Sequence, residues 1–544
     1  MKEKVKKYLQ AFADNGVNLV LISLLTGIFA GAVVTFYNIL MSLGEETSID
    51  LYMLVRENPA FIPLLFAGLA AGSLVIGTVA KFVPMVRGSG IPQIEGAARG
   101  KVRFNWYVTM CSMFAASLAC VFMGYPAGAE GPSLEIGGCA GGAVGTVLKR
   151  NQMVKRLQIA SGASAGLAVA FNAPVTGLVF AMEEAFRSFS PQVFVCAALS
   201  VVSSLFTRNA LRYGILGKDK VGFTFKDFAF SFSFNGDGAI FCLWVVLAAI
   251  IVAIIGVGFY YSVFATKKLF KKITFLKGVG KYMIPFLIAG AFGLITVYSL
   301  GGGHDFIQSL ATGSSGLSSG KIEVERIFGI SVLATLFIVF IIRFITSALS
   351  MGCGVPCGVF IPMLAIGAGI GAILSVLFQK AGMNPVFSDY LVIICMATFF
   401  TCVVKAPVTG IVMVFELTGQ FSNFLPALIG IVIGYLVGLL FRTDAIYEKN
   451  LEQYIKDNKL YENFKKERVR LFIREHSKAD GKAVRAIVWP SNGLVVELIH
   501  EDGTQTVPDG ETVLRAGQEI VFECETDDLD ELMEYLCGIT GRQE

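Results

Sequence analysis

Apolar runs dominate this sequence, and several are too short to cross a bilayer. They are Val17–Leu43, Phe61–Val83, Trp106–Phe122, Ile136–Leu148, Leu157–Phe171, Val175–Met182, Val193–Phe206, Ala239–Phe264, Met283–Leu300, Ile327–Leu349, Phe360–Phe378, Tyr390–Val403, Ile411–Phe415 and Phe424–Phe441. A full helical span needs about 20 apolar residues. The short runs start at Gly/Pro-rich breaks. Lipid-exposed broken backbone leaves polar groups unsatisfied, so such breaks are tolerated only where protein or a water-filled cavity surrounds them. They point to a substrate site near the membrane midplane. Composition agrees: 54% of residues are hydrophobic and 16% charged, against about 25% charged in soluble domains. A cytosolic enzyme, a disordered chain and a nucleic-acid binder are excluded. The net charge of +4 implies no strongly charged partner. The 59 glycines suggest close helix packing and mid-membrane breaks.

The first run is too long for a cleaved signal peptide, whose apolar region is about 7–15 residues. Lys2, Lys4, Lys6 and Lys7 precede it, which places the N-terminus in the cytoplasm by the positive-inside rule. Most cysteines lie within apolar runs and read as small hydrophobes. Cys353 and Cys357 lack the further ligands of a metal site, and the three histidines are dispersed, so no metal is expected. No nucleophile–base pair suggests an enzyme.

The membrane part is internally repeated. The segment 171–184, FNAPVTGLVFAMEE, matches 404–417, VKAPVTGIVMVFEL, at half its positions. Upstream, Pro132, Leu134, Ile136, Gly137 and Gly141 match Pro362, Leu364, Ile366, Gly367 and Gly371 at nearly the same spacing. Duplicated halves are a mark of secondary transporters, often inverted. The sequence alone leaves the relative orientation open.

Three breaks carry the chemistry: GSGIP (88–92), GAEGP (128–132) and GVFIP (358–362). Each precedes a stretch that can be helical, with proline where its missing N–H costs nothing. A helix start exposes unpaired N–H groups and about half a positive charge. Several such ends meeting at the midplane would hold an anion without a full cation in the lipid. Glu130 stands inside the second break, and a carboxylate at membrane depth is costly and functional by default. Glu183 and Glu184 end an apolar run, where a solvated helix end is a rival reading.

These motifs, in this order, resemble the CLC family of chloride channels and chloride/proton antiporters. GGGHD (301–305), the duplicated AP-x-TG segments and a tyrosine in the last membrane segment add to the likeness, which covers about residues 15–455. The resemblance implies an all-α polytopic fold of two inverted repeats with broken helices. It also implies a homodimer in the plasma membrane with one anion pathway per subunit. It identifies Ser89 and Tyr447 as hydroxyl donors to a central chloride, and the N–H groups of Gly131, Val359 and Phe360 as part of the anion site. From spacing alone, Ser89 also fits a cap of its own helix, and Tyr447 an interfacial anchor. The resemblance makes Glu130 the external gate and proton acceptor. It makes Glu184 the internal proton-transfer residue, with Glu183 beside it on the water path; Glu416 aligns with Glu183 and reads as structural. Many relatives carry Arg or Lys where Ala129 stands here, which implies a weakened outer anion site. An acid at 184 favours proton-coupled chloride antiport. The alternative is a passive chloride channel of the same fold.

After about residue 446 the composition changes. Residues 448–466 belong to a densely charged stretch, 448–470, that reads as a helical linker joining the membrane domain (1–447) to a small α+β domain (467–544). Strands are expected at Val469–Ile473, Ala483–Trp489, Leu494–Ile499 and Glu519–Cys524. A hairpin turn is expected at Glu501-Asp502-Gly503, and a final helix starting at Thr526-Asp527-Asp528. Leu494–Leu498, Thr506–Leu514 and Ala516–Glu519 resemble a TrkA-type C-terminal domain, the regulatory lobe of potassium-transport proteins. Some of these domains bind cyclic di-AMP, which makes that nucleotide the candidate ligand; plain dimerisation is the other reading, as no Gly-rich phosphate loop is present. The tail also raises a potassium transporter as a rival. The chain lacks a carbonyl-lined potassium filter, which argues against it. Both termini are expected in the cytoplasm. Chloride, protons, the lipid bilayer and a second copy of the chain are the expected partners, with no nucleic acid and no other cofactor.

Overall fold

The structure is a computed structural model. It describes residues 2–185, 187, 191–217, 236–273, 276, 278–311, 327–418, 424–458, 465–487, 489, 493–526 and 529–541. The helices, in chain order, are α1 (Lys2–Glu57), α2 (Ile62–Phe82), α3 (Ile91–Ala98), α4 (Trp106–Phe122), α5 (Glu130–Val147) and α6 (Gln152–Phe171). Next come α7 (Pro174–Phe180), α8 (Pro191–Leu216), α9 (Gly236–Lys272), α10 (Met283–Ile295), α11 (His304–Ala311) and α12 (Val332–Cys353). The last are α13 (Phe360–Lys380), α14 (Ser388–Val404), α15 (Pro407–Thr418), α16 (Phe424–Leu440), α17 (Ile446–Asp457) and α18 (Leu529–Thr540). Among the described residues, eight helices are long and apolar enough to cross a membrane. Shorter ones such as α3 and α7 lie between them, as the short apolar runs require.

The glycines do the packing expected of them. A Cβ on Gly137 would lie 2.3 Å from the Gly162 carbonyl oxygen, and one on Gly162 2.2 Å from that of Gly137. At Gly141 it would lie 1.9 Å from the Gln158 carbonyl. Lipid tails are as apolar as the helices, so α5 and α6 gain mainly from close van der Waals approach, which only small residues allow. On α13, Gly367 and Gly371 approach the backbone of α14 at Met396 and Val392 in the same manner.

The duplication is visible in local geometry. α6 ends on Asn172 and α14 on Lys405, both left-handed with φ of 55° and 69°. Each is followed by Ala-Pro, the proline opening a new helix, α7 or α15. The left-handed residue satisfies a terminal carbonyl of the first helix, and the proline starts the next without wasting a donor.

Beyond α17 lies a four-stranded antiparallel sheet in the order β1-β4-β2-β3, made of β1 (Lys465–Phe472), β2 (Gly493–Ile499), β3 (Gln505–Thr506) and β4 (Glu519–Thr526). Its core holds Val469, Leu471, Leu498, Ile520, Phe522 and Leu536. The expected hairpin turn is found at Glu501–Gly503. Two expectations need correction. The charged stretch 448–470 is not one helix: α17 stops at Asp457, and 465–470 is strand, with Val469 and Leu471 inward between charged neighbours. Ala483–Trp489 is not a strand: Ala483 makes a single bridge to Val513, then Val484–Ala486 forms a 3-10 turn. There the Trp489 indole N–H donates to the Val484 carbonyl, and the N–H groups of Val484 and Arg485 donate to Thr512 and Gly510, so the segment is committed to a loop contact. Asp527 and Asp528, expected to open the last helix, lie outside the described residues.

Candidate anion and proton site

The three Gly/Pro breaks converge. Gly128 and Gly358 exchange backbone hydrogen bonds of 2.8 and 2.9 Å, forming a two-residue antiparallel bridge. The Cys357 N–H donates to the Gly88 carbonyl at 3.2 Å. These bonds satisfy backbone that the breaks would leave exposed, and they bring the starts of α3, α5 and α13 together. The fit is tight. A Cβ on Gly131 would lie 2.6 Å from the Ser89 carbonyl and 3.1 Å from the Gly358 Cα. Gly90, the residue before α3, is left-handed at φ 75°.

Ser89, Gly131, Val359 and Phe360 are therefore brought to one place, and all are buried. Tyr447, the second residue of α17, reaches the same neighbourhood through a chain of edge-on ring contacts. Its ring meets Phe180 edge-on at 6.4 Å, and Phe180 meets Phe360 at 6.0 Å. Tyr447 is fully buried, and its hydroxyl has no protein hydrogen-bond partner. An orphaned buried hydroxyl costs about 1–3 kcal/mol, a cost that an acceptor such as an anion removes. On one side Ser89 borders a cavity of about 390 Å³ whose walls carry Arg87, Lys81, Lys267 and Lys271. Of these, Lys271 is paired with Asp457 at 2.8 Å. A basic mouth concentrates anions in front of a site built from helix starts.

Glu130 is the first residue of α5, its side chain 2% exposed. One carboxylate oxygen lies 3.3 Å from His304 Nε2, and the other has no protein partner. Across the site, a single π-helical turn, Ala181–Ala185, carries Glu183 and Glu184. Such turns are rare and concentrate at functional sites. Glu184 is buried, 3.5 Å from Arg187, and its carbonyl accepts from Arg99. Arg187 also bridges to Glu448 on α17 at 2.6 Å.

Glu183 points elsewhere. Its carboxylate accepts from the N–H groups of Val408 and Thr409 and from the Thr409 hydroxyl, at 3.0, 2.7 and 2.7 Å. It thereby caps α15, in the other half of the repeat. Glu416, on α15, returns the contact. It accepts from the N–H groups of Val175 and Thr176, both at 2.8 Å, and from the Thr176 hydroxyl, capping α7. Reciprocal contacts of this kind require a local two-fold relation between the halves. Glu416 is the structural residue its alignment suggested, and Glu183 has the same bonds.

Two buried carboxylates escaped the sequence reading. Glu95, on α3, is fully buried, 3.9 Å from Arg99, and neither of its oxygens has a hydrogen bond. Glu135, one turn into α5, is also fully buried without hydrogen bonds and lies against Gly90. The signal was present, as both are acids inside membrane-depth motifs. Each sits mid-helix, where a solvated face is the ordinary expectation.

Residues 71–439 match the family described as voltage gated chloride channel, and residues 468–536 match the TrkA-C domain. The chain belongs to the CLC family. Among curated relatives, the H(+)/Cl(-) exchange transporter ClcA of Vibrio cholerae is 30% identical over 455 residues, covering 81% of this chain and 91% of that one. ClcA of Vibrio parahaemolyticus is also 30% identical, over 457 residues. The fold matches a solved slow cyanobacterial Cl-/H+ antiporter, with a TM-score of 0.69 at 23% identity over 81% of this chain and 99% of that one. It also matches a CLC-type fluoride/proton antiporter, at 0.61 and 18% identity over 78% and 95%. The protein is thus a multi-pass CLC membrane protein with a small TrkA-C domain.

Proposed function

We propose that this protein is a proton-coupled chloride antiporter of the plasma membrane, working as a homodimer with both termini in the cytoplasm. The observation that carries the reading is the meeting of three helix starts around Ser89, Gly131, Val359, Phe360 and the unpartnered Tyr447 hydroxyl, with Glu130 at the head of one of them. Relatives named as H(+)/Cl(-) exchangers support it. In this reading chloride enters through the basic cavity beside Ser89 and accepts hydrogen bonds from Ser89 and Tyr447. Glu130 is itself an anion at a helix start. It competes with chloride while charged and leaves the pathway when protonated. Glu184 passes protons to and from the cytoplasmic side, held by Arg187 and Arg99. Glu183 is assigned to the water path beside it, in addition to its capping bonds.

A chloride gradient across liposomes carrying the purified protein should pump protons uphill. Glu130→Gln should abolish that pumping while chloride still crosses. Chloride flux without proton movement in the unaltered protein would make it a passive channel of the same fold, and potassium flux would reject both readings. We assign the TrkA-C domain a regulatory role, with a cyclic dinucleotide such as cyclic di-AMP as its ligand class. Equilibrium binding of cyclic di-AMP to the full chain tests that assignment.

A further inference from the structure

His304 opens α11, in the GGGHD segment, and reaches the head of α5 from a different part of the chain. Its Nε2 stands 3.3 Å from Glu130 Oε1. The two side chains differ in access: the imidazole is 19% exposed and the carboxyl 2%. The segment before it is rigidly held. Arg343, fully buried on α12, donates to the carbonyls of Gly301 and Leu300 at 3.2 and 3.0 Å, and the Gly302 N–H donates to the Glu45 carboxylate of α1 at 2.6 Å. The charged groups around the imidazole are Glu130 from α5, Glu45 from α1, its neighbour Asp305 and, behind the glycines, Arg343 from α12. Three carboxyl groups thus face one histidine that touches both solvent and Glu130.

We propose that His304 is the outer proton donor and acceptor for Glu130, the residue through which protons pass between extracellular water and the buried carboxyl. This rests on the reading of Glu130 as the proton-accepting gate. In the inward step, an imidazolium protonated from water gives its Nε2 proton to Glu130 Oε1. The N–H bond breaks and an O–H bond forms, leaving a neutral imidazole and a neutral carboxyl. The reverse step returns the proton. Histidine suits the task because its unperturbed titration lies between pH 5 and 8. Burial of the ring opposes the charged imidazolium, while Glu130, Glu45 and Asp305 favour it, and the braced loop keeps it within hydrogen-bond reach of Glu130.

The test is chloride-driven proton pumping by the full chain in liposomes, with His304→Asn, His304→Phe and Glu130→Gln compared over pH 5 to 8. Asparagine can keep a hydrogen bond to Glu130 but cannot titrate. His304→Asn should retain the proton-to-chloride ratio while slowing both fluxes at least about ten-fold, in line with loss of a positioned acid–base group. Its pH profile should flatten, and added imidazole should restore rate to His304→Asn more than to His304→Phe, whose ring fills the space. A His304→Asn protein with the original rate and pH profile overturns the proposal. So does one that is slow but neither changes its pH profile nor responds to imidazole, since that marks a packing role. If Glu130→Gln still pumps protons, the gate reading itself fails. If Glu130→Gln stops pumping while His304→Asn is unaltered, the inference about His304 alone falls.

Discussion

Gly90 shows how much one residue decides at this site. Its φ of 75° is left-handed, and a Cβ there would sit 2.0 Å from Glu135 Oε2. A non-glycine residue in that conformation carries about 1–2 kcal/mol of strain, and here it would also push the Glu135 side chain aside. Gly90→Ala should therefore lower both thermal stability in detergent and chloride flux. Unchanged flux would mean that the start of α3 tolerates movement that the tight fit at Gly131 argues against. Neither the left-handed backbone nor the contact with Glu135 was legible in the sequence, although the GSGIP motif marked the place. The same holds for His304. GGGHD was visible as a motif, but its contact with Glu130 joins residues from opposite halves of the membrane domain, and no local pattern reports that.

At the scale of the element, the two short helices α7 and α15 are held by borrowed caps. Each begins with proline, and each has its next two N–H groups and a threonine hydroxyl satisfied by a glutamate from the other repeat. Removing a cap of this kind costs about 0.5–2 kcal/mol. Glu416→Ala and Glu183→Ala should lower the unfolding temperature by similar amounts, because the two caps are built alike. Transport should separate them. If Glu183 also lies on the water path, Glu183→Ala slows proton pumping more than Glu416→Ala does at equal loss of stability. Equal transport would leave Glu183 a cap alone. The alignment in the sequence paired these two glutamates but not their targets, since a cap supplied across a two-fold relation has no signature within either helix. α17 combines similar roles. It carries Tyr447 at its start, bonds Arg187 through Glu448 and Lys271 through Asp457, and buries Leu451 and Ile455.

At the scale of the molecule, the C-terminal sheet and α18 enclose their own apolar core, so residues 465–544 should fold when expressed alone, as judged by circular dichroism and a cooperative melt. That fragment should also be acid-sensitive. The Asp509 carboxylate accepts from the Thr512 hydroxyl and from the N–H groups of Thr512 and Glu511, which holds its pKa below the usual aspartate value. A depressed folded-state pKa stabilises above the unfolded value, about 3.9, and that contribution is lost as pH falls through the lower folded value. Asp509→Ala should make the melting temperature less dependent on pH between 5 and 3; an unchanged dependence would show that other carboxylates govern the acid response. The sequence by itself determined the membrane class, the duplication, the three Gly/Pro breaks and the presence of a small C-terminal α+β domain. These follow from local hydropathy, glycine and proline, whose physical effects act within a few residues. Only the tertiary structure decided which breaks touch, that Glu183 and Glu416 cap each other's halves, that His304 meets Glu130 and that Val484–Ala486 is a turn. Each of these depends on hydrogen bonds or packing between segments far apart in the chain, and a partner at that distance leaves no periodicity or spacing to read.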